Sequence, residues 1–590
     1  MAEKRGYRIS DIYQGGYSSL DPSNNYITAG SLGMTTDPRS ANILQEVSLK
    51  LSSGVKQVEI EAVSPEIFDS IPKQQLREVN RLSKLTGVDV SIHAPVSGMN
   101  VSGITQQGYS ETDREAMERK VADILIRSHD LNPEGNIPVN FHSAEGIPGS
   151  QLLPPSKRKL GEKYQRMIII NQQTGRLAPL EPEIRYYPEA EKLEPQRLTP
   201  EQELDIHNRT EWDNSISQVI FNKDRADEIL EGHQLLIQHL FEDLKTGKLR
   251  QGEPLSPEQE AALRHYRNAE AYLQDLNKQI NTFFSRAYEF GTEHQREILK
   301  TYSEKFKKDL ADSPDLFLQS KAMHNLLHGL KNPQVAPNLY VPIEKFAIEK
   351  SSETFGKAAW DTYKKLKGKN IPILTIENPP AGFGLSTGED IKNLVEKSRE
   401  QFVKKAVADG GLSENEATKQ AEKLIGATWD VGHINMLRKF GYSEKEIIEE
   451  TKHVAPLLKH VHLSDNFGFE HTELPMGMGN VPLKEMMKKL GKKGFEARKI
   501  VEAAAWWQHW KTPPFQETLE AVGSQIYGMK MAPYWSQAAG LYQGYFSGYG
   551  QMFPQVHYET FGAGFSRLPQ ELGGQVQGAQ GSRMSGRPME

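Results

Sequence analysis

Short apolar runs alternate with longer amphipathic stretches along most of the chain, and this alternation sets the expected architecture. Tyr26–Gly33, Val55–Ile60, Val88–His93 and Ile137–His142 read as strands, with helices over Ser40–Ser52, Gln74–Thr86 and Glu111–His129 between them. Continuous apolar runs of this kind belong to parallel strands that helices cover on both sides. After an interruption the rhythm returns with a helix over Thr354–Lys367 and strands at Ile371–Glu377, Ala427–Asp430, His460–Ser464 and Lys499–Glu502. Helices over Gly388–Asp409, Ser443–Leu458 and Pro482–Leu490 separate them. Eight strands alternating with helices predict an α/β fold, a (β/α)8 TIM barrel. An open doubly wound sheet is the competing architecture, but no glycine-rich phosphate loop follows the first strand.

The interruption splits the barrel into two halves, residues 1–149 with a polar leader and residues 345–510. Residues 150–344 between them are Pro-rich and charged at first, then mainly helical. Ser256-Pro257-Glu258-Gln259 joins a capping box to a proline at the first helical position. Leu263, Tyr266, Ala269, Leu273, Leu276, Ile280, Phe283 and Ala287 then step by three and four, as helix-on-helix packing requires. This predicts a helical hairpin or small bundle inserted after the fourth strand. Loops that follow barrel strands open on the catalytic face, so the insertion is expected there as a lid, a specificity element or an oligomer contact. Residues 511–590 turn to Gly, Tyr and Gln, and a partly disordered extension is expected of them.

Composition narrows the chemistry. With 71 basic against 77 acidic residues, the net charge of −6 gives no general attraction for nucleic acid. The absence of cysteine excludes disulfides, thiolate-bound zinc, iron–sulfur clusters and thiol nucleophiles, so any metal must be held by His, Asp and Glu. No apolar h-region opens the sequence and no run is long enough to span a bilayer, which predicts a cytoplasmic chain without a membrane partner.

The densest candidate chemistry lies between Ala427 and Gly479, where Asp430-x-x-His433, the strand His460-Val461-His462 and His471 follow one another. In a barrel the strand ends converge, and the residues at those ends here are His93, His142, Glu377, Asp430, His462 and Glu502. Each of these six can bind a metal. Carboxylates favour Mn²⁺ or Mg²⁺, while each added imidazole makes Zn²⁺ or Co²⁺ more competitive. Asp465 is expected to be a loop carboxylate that orients a ligand histidine.

These strand ends, together with the phrases SIHAP, FHSAEG, TIENPPAGFG, DVGH, HVHLSDN and GMGNVP, resemble the xylose isomerase-like barrel superfamily, over roughly residues 26–149 and 345–510. Two branches of that superfamily imply different sites. Resemblance to the D-tagatose 3-epimerase group implies one divalent ion on Glu377, Asp430, His462 and Glu502. The two glutamates then serve as acid and base on a small polyhydroxylated substrate, and His433 holds a substrate oxygen. Resemblance to endonuclease IV implies three zinc ions and a nucleic-acid partner, with the family's ligands falling on His93, His142, Glu377, Asp430, His433, His462, His471 and Glu502. That family's aspartate two residues before the last histidine has no counterpart, because Phe469 stands there, and Glu470 would point away in an extended segment. The expectation is therefore a metal-dependent sugar or sugar phosphate isomerase or epimerase, with one ion of Mn²⁺, Zn²⁺ or Co²⁺ and room for up to three. An endonuclease IV-like phosphodiesterase is the alternative, and a barrel without catalysis, serving as a scaffold, is the third reading.

Overall fold

The computed structural model describes most of residues 31–521; residues 1–30, 522–590 and short internal stretches, chiefly between 233 and 254, lie outside the described residues. The polar leader and nearly all of the Gly/Tyr/Gln-rich extension fall outside them.

Eight parallel strands close into a barrel: β1 Leu32–Thr35, β2 Gln57–Ile60, β3 Asp89–His93, β4 Pro138–His142, β5 Ile373–Glu377, β6 Ile425–Asp430, β7 Leu458–Leu463 and β8 Arg498–Val501. Each pairs with its sequence neighbours, and β1 joins β8 to complete the circle. The open-sheet alternative is thereby excluded. Most of the first apolar run, Tyr26 to Gly30, lies outside the described residues; Leu32–Met34 pair with β8 and Gly33–Thr35 with β2.

Strand alternation sorts the side chains. Val58, Ile60, Val139, Phe141, Leu374, Ile376, Val461 and Leu463 are buried toward the surrounding helices. Their neighbours Glu59, Ser91, Asn140, Thr375, His460 and His462 are buried in the lumen, which is unusually polar for a barrel of this kind. Such groups cost free energy unless hydrogen-bonded, and they bond one another: Ser91 Oγ donates to Glu59 at 2.6 Å, and Thr375 Oγ1 donates to the Val139 carbonyl at 3.3 Å.

The segment between β4 and β5 contains more than helices. It opens with an antiparallel sheet in which Tyr164–Asn171 is flanked by Tyr340–Pro342, Leu177–Leu180 and Gln151–Leu152. Long helices follow, Pro200–Glu231 and the capped Pro257–Phe290, then Glu293–Leu310 and Leu316–Leu330. Trp212, Ile216, Leu273, Ile280 and Leu327 form a second core separate from that of the barrel. The chain re-enters the barrel through helix Ile343–Lys365, which starts earlier than expected. Helix Glu414–Leu424 was not anticipated, although Ser413 and Glu416 form a full capping box at its start.

Candidate metal centre

Register brings the strand ends to one level: Glu377 pairs with His142 and with Thr428, and Asp430 pairs with His462. Glu377, fully buried, is the hub. Its Oε2 accepts the Asn140 side-chain amide and lies 3.3 Å from His93 Nε2 and 3.5 Å from His142 Nε2. Its Oε1 lies 3.2 Å from His462 Nδ1 and 3.4 Å from His433 Nδ1. Glu502, just past β8, brings Oε1 to 2.9 Å from the same His462 Nδ1.

Two ligand groups result. Donor atoms of His93, Glu377, His462 and Glu502 all lie within 4.8 Å of one another, as do those of Glu377, Asp430 and His433. The expected quartet of Glu377, Asp430, His462 and Glu502 therefore does not appear as one compact group. His93 stands where Asp430 was expected, and Asp430 sits with His433, sharing Glu377. Asp430 Oδ1 caps the following helical turn, accepting from the N–H groups of Gly432 at 2.6 Å and His433 at 2.8 Å. Ser464 Oγ donates to the same carboxylate at 3.1 Å. Gly432 is required there, because a Cβ would collide with Ser464. Asn378 locks β5 to β6: its amide donates to the Asp430 carbonyl at 2.9 Å, and its carbonyl accepts from the Asp430 N–H at 2.8 Å.

The donor set fits a divalent ion on two counts. First, two donors bound at about 2.0–2.2 Å around a tetrahedral ion stand about 3.3 Å apart. The four histidine contacts of Glu377 run from 3.2 to 3.5 Å, at or beyond the long end of hydrogen bonding. Second, the ring nitrogens turned away from the hub are held by oxygens, as metal-binding histidines require. His93 Nδ1 lies 2.7 Å from the Ala94 carbonyl and His462 Nε2 lies 2.9 Å from Glu59 Oε1; His433 differs, since the Nδ1 that faces Glu377 is itself 2.8 Å from the Asn378 carbonyl.

The field favours a cation as well. Burial by itself lowers an imidazole, yet Glu377, Glu61 and Glu59 push His93 up to about 10, and Glu502, Glu377 and Glu59 raise His462 well above its ordinary value. Burial also raises carboxyls, and Glu502 is held well above the usual range, whereas His462 and His142 outweigh burial and keep Glu377 well below it. His433 is lowered by burial, and its Nε2 is engaged with a second imidazole. That nitrogen lies 2.8 Å from His471 Nε2 and 3.9 Å from Asp430 Oδ2.

Every strand-end residue expected at the site, with His433 and His471, is thus drawn into one constellation. Phe469 is exposed on its loop, as is Glu470. Asp465 departs from expectation. Its carboxylate is taken up by backbone, accepting from the N–H groups of Asn466, Gly477, Gly479 and Val481 at 2.7–3.0 Å, so it shapes the loop instead of orienting an imidazole. Sequence reasoning missed Glu59, Asn140 and Glu61, the last pushed by burial to about 7. A charged residue inside the apolar run Val58-Glu59-Ile60 was the available signal for Glu59.

The model of the xylose isomerase-like TIM barrel family matches residues 413–522, which carry Asp430, His433, His462, His471 and Glu502. The matched segment is thus similar to that family, and the closed eight-strand topology of the chain is that of a (β/α)8 barrel. An uncharacterised protein of Methanocaldococcus jannaschii is 31% identical over 74 residues, 12% of this chain and 24% of that protein. The chain thus spans about a quarter of the length of that curated relative. Among solved structures, a D-tagatose 3-epimerase-like protein aligns over 84% of this chain and 99% of its own at 12% identity and a TM-score of 0.35. A 3-keto-D-glucoside 4-epimerase from E. coli aligns over 83% and 97% at 9% identity and a TM-score of 0.32. No helix among the described residues is long and apolar enough to cross a membrane.

Proposed function

We propose that the chain is a divalent-metal-dependent isomerase or epimerase acting on a small polyhydroxylated substrate, a sugar or sugar phosphate with adjacent carbonyl and hydroxyl groups. The observation that carries this reading is the convergence of Glu377 from β5 and Glu502 from β8 on one atom, His462 Nδ1, at 3.2 and 2.9 Å. Two carboxylates that reach one small volume from different strands can attend a single substrate carbon as base and acid. Glu377, His462 and Glu502, with His93 or Asp430, would hold Mn²⁺, Zn²⁺ or Co²⁺. When bound, such an ion polarises the carbonyl and makes the neighbouring C–H more acidic. One glutamate then takes the carbon's proton and the other returns it. Glu502 is the one open to exchange with water, since its side chain is 12% exposed while that of Glu377 is 0% exposed. His433, whose Nε2 meets His471 at 2.8 Å, would exchange that contact for a substrate hydroxyl.

The test is turnover in D₂O by Mn²⁺- or Co²⁺-loaded protein over a panel of ketoses and their phosphates. Deuterium is expected at the epimerised carbon, and Glu502→Gln is expected to slow its uptake by about 10²–10⁴. Product without deuterium would rule out proton transfer.

A second reading has its own observation. Glu377 is shared by two ligand groups, one oxygen toward His93 and His142 and the other toward His433 and His462. A carboxylate shared in this way suits a site of more than one ion, as a zinc phosphodiesterase of the DNA-repair type would use.

A further inference from the structure

Reaching one layer deeper into the lumen from the strand ends lies a cluster that the proposed chemistry uses only through His462. Glu59 on β2 faces His460 and His462 across the barrel: Oε2 is 2.9 Å from His460 Nε2, and Oε1 is 2.9 Å from His462 Nε2. Ser91 Oγ donates to Oε2 at 2.6 Å. Glu59, His460 and His462 are all completely buried.

The cluster has the composition of a metal site: Oε2 is hydrogen-bonded to His460 Nε2, while Oε1 and His462 Nε2, 2.9 Å apart but off the hydrogen-bonding line, have no other partner among the described residues. Each Glu59 oxygen meets one imidazole nitrogen at 2.9 Å, close enough for a shared proton. The two oxygens have separate duties. Oε2 is occupied by Ser91 and His460, which fixes the plane of the carboxylate, and Oε1 is left for His462 alone. A histidine has one free lone pair when neutral, on whichever nitrogen lacks the proton. An acceptor at Nε2 puts the proton there and leaves Nδ1 bare. Nδ1 is the nitrogen that faces Glu377 at 3.2 Å and Glu502 at 2.9 Å.

We propose that Glu59 is the positioning residue of the metal centre: it accepts the Nε2 proton of His462, so that the Nδ1 lone pair is presented to an ion held with Glu377 and Glu502. Ser91 and His460 hold Glu59 in place. A chain of contacts thus runs from β3 through β2 to β7, setting both the tautomer and the tilt of one ligand. The inference rests on the metal-centre reading above. His93 obtains the same service from a main-chain carbonyl, so the centre depends on a side chain for this purpose at His462.

The test is Co²⁺ binding to the full chain, followed by competition with a chelator and by the visible absorption of the bound ion. Glu59→Ala is expected to weaken Co²⁺ binding about 10–100-fold and to alter the absorption band. Glu59→Gln, which keeps the shape and one carbonyl acceptor, is expected to recover part of the affinity, and it carries the test if the alanine variant fails to fold. A purely structural role would lower the melting temperature of the metal-free protein and leave the affinity and spectrum of the folded fraction unchanged. Co²⁺ affinity within twofold of wild type in both variants, with an unaltered band, would overturn the role of Glu59 while leaving the metal centre standing. No Co²⁺ uptake by the wild type would overturn both.

Discussion

At the scale of single residues, the most exacting arrangement outside the metal centre is Asp465. Its carboxylate accepts four backbone N–H groups, three of them from the turn at Gly477, Gly479 and Val481, and so pins the loop that carries His471 against β7. Gly479 is glycine for the same reason, because a Cβ there would collide with Asp465 itself. Hydrogen bonds to a charged acceptor contribute about 1.5–3 kcal/mol each when buried, and water would recover part of that once the loop opens. Asp465→Ala is therefore expected to cost about 3 kcal/mol locally. In hydrogen exchange, the amides of Gly477, Gly479 and Val481 should lose protection while those of β5 and β6 keep theirs; continued protection of the turn would refute this assignment. Sequence reading placed Asp465 beside the site correctly but gave it the wrong partner. A carboxylate and a nearby histidine look like a pair in one dimension, whereas turn amides carry no side-chain signature. Glu59 was missed for the converse reason, since its partners lie 32 and 401 residues away in the chain.

At the scale of elements, burial of one charge-bearing group couples the insertion to the barrel. Glu344 stands in the first turn of helix Ile343–Lys365, where Oε1 accepts from the Ser150 N–H at 3.0 Å. Burial, reinforced by Asp390 and opposed by the Ser150 bond, pushes this carboxyl up to about 7 from 4.5. An acid raised in the folded state stabilises the fold below its unfolded value, where both states are protonated. Between pH 4.5 and about 7 the unfolded chain releases its proton first, so stability falls, and above 7 the loss is constant. The full effect is on the order of 3 kcal/mol. Glu344→Gln keeps the acceptor for Ser150 and removes the charge, so it should raise the melting temperature at pH 8 and leave it nearly unchanged at pH 4. An equal shift at both pH values would contradict the assignment. The barrel strands were legible because each is an apolar run bounded by a helix, and seven of them lie within three residues of the expected start. The antiparallel sheet at the start of the insertion was not legible. Its pairing of Tyr164–Asn171 with Tyr340–Pro342 spans the whole inserted segment, and no local turn signal announces a contact of that range.

At the scale of the whole molecule, the number of ions separates the two functional readings. The barrel mouth gathers Glu377, Asp430, Glu502, Glu59 and Glu61 with four histidines into a buried space, and the charges there are satisfied only by protons or by cations. Proton transfer between two carboxylates needs one ion to polarise the substrate, whereas phosphodiester hydrolysis gains from ions on both the attacking and leaving oxygens. The first group, His93, Glu377, His462 and Glu502, is complete with four donors. The second has Glu377, Asp430 and His433, with His471 2.8 Å from His433 and Glu473 a further 4.0 Å from His471, on a loop whose expected aspartate position is Phe469. Under the isomerase reading, protein stripped with chelator and reloaded should bind one ion per chain tightly. Glu377→Gln or His462→Ala should abolish that binding, and His433→Ala should leave the count at one. Because the candidate ligands come from β3, β5, β7 and the end of β8, an ion held by them would bridge both halves of the barrel. Loading at a hundredfold excess over Kd should therefore stabilise the fold by about 2.7 kcal/mol, visible as a higher melting temperature. Two or three zinc ions per chain, with one lost in His433→Ala and with cleavage of an abasic-site duplex, would transfer the assignment to the phosphodiesterase.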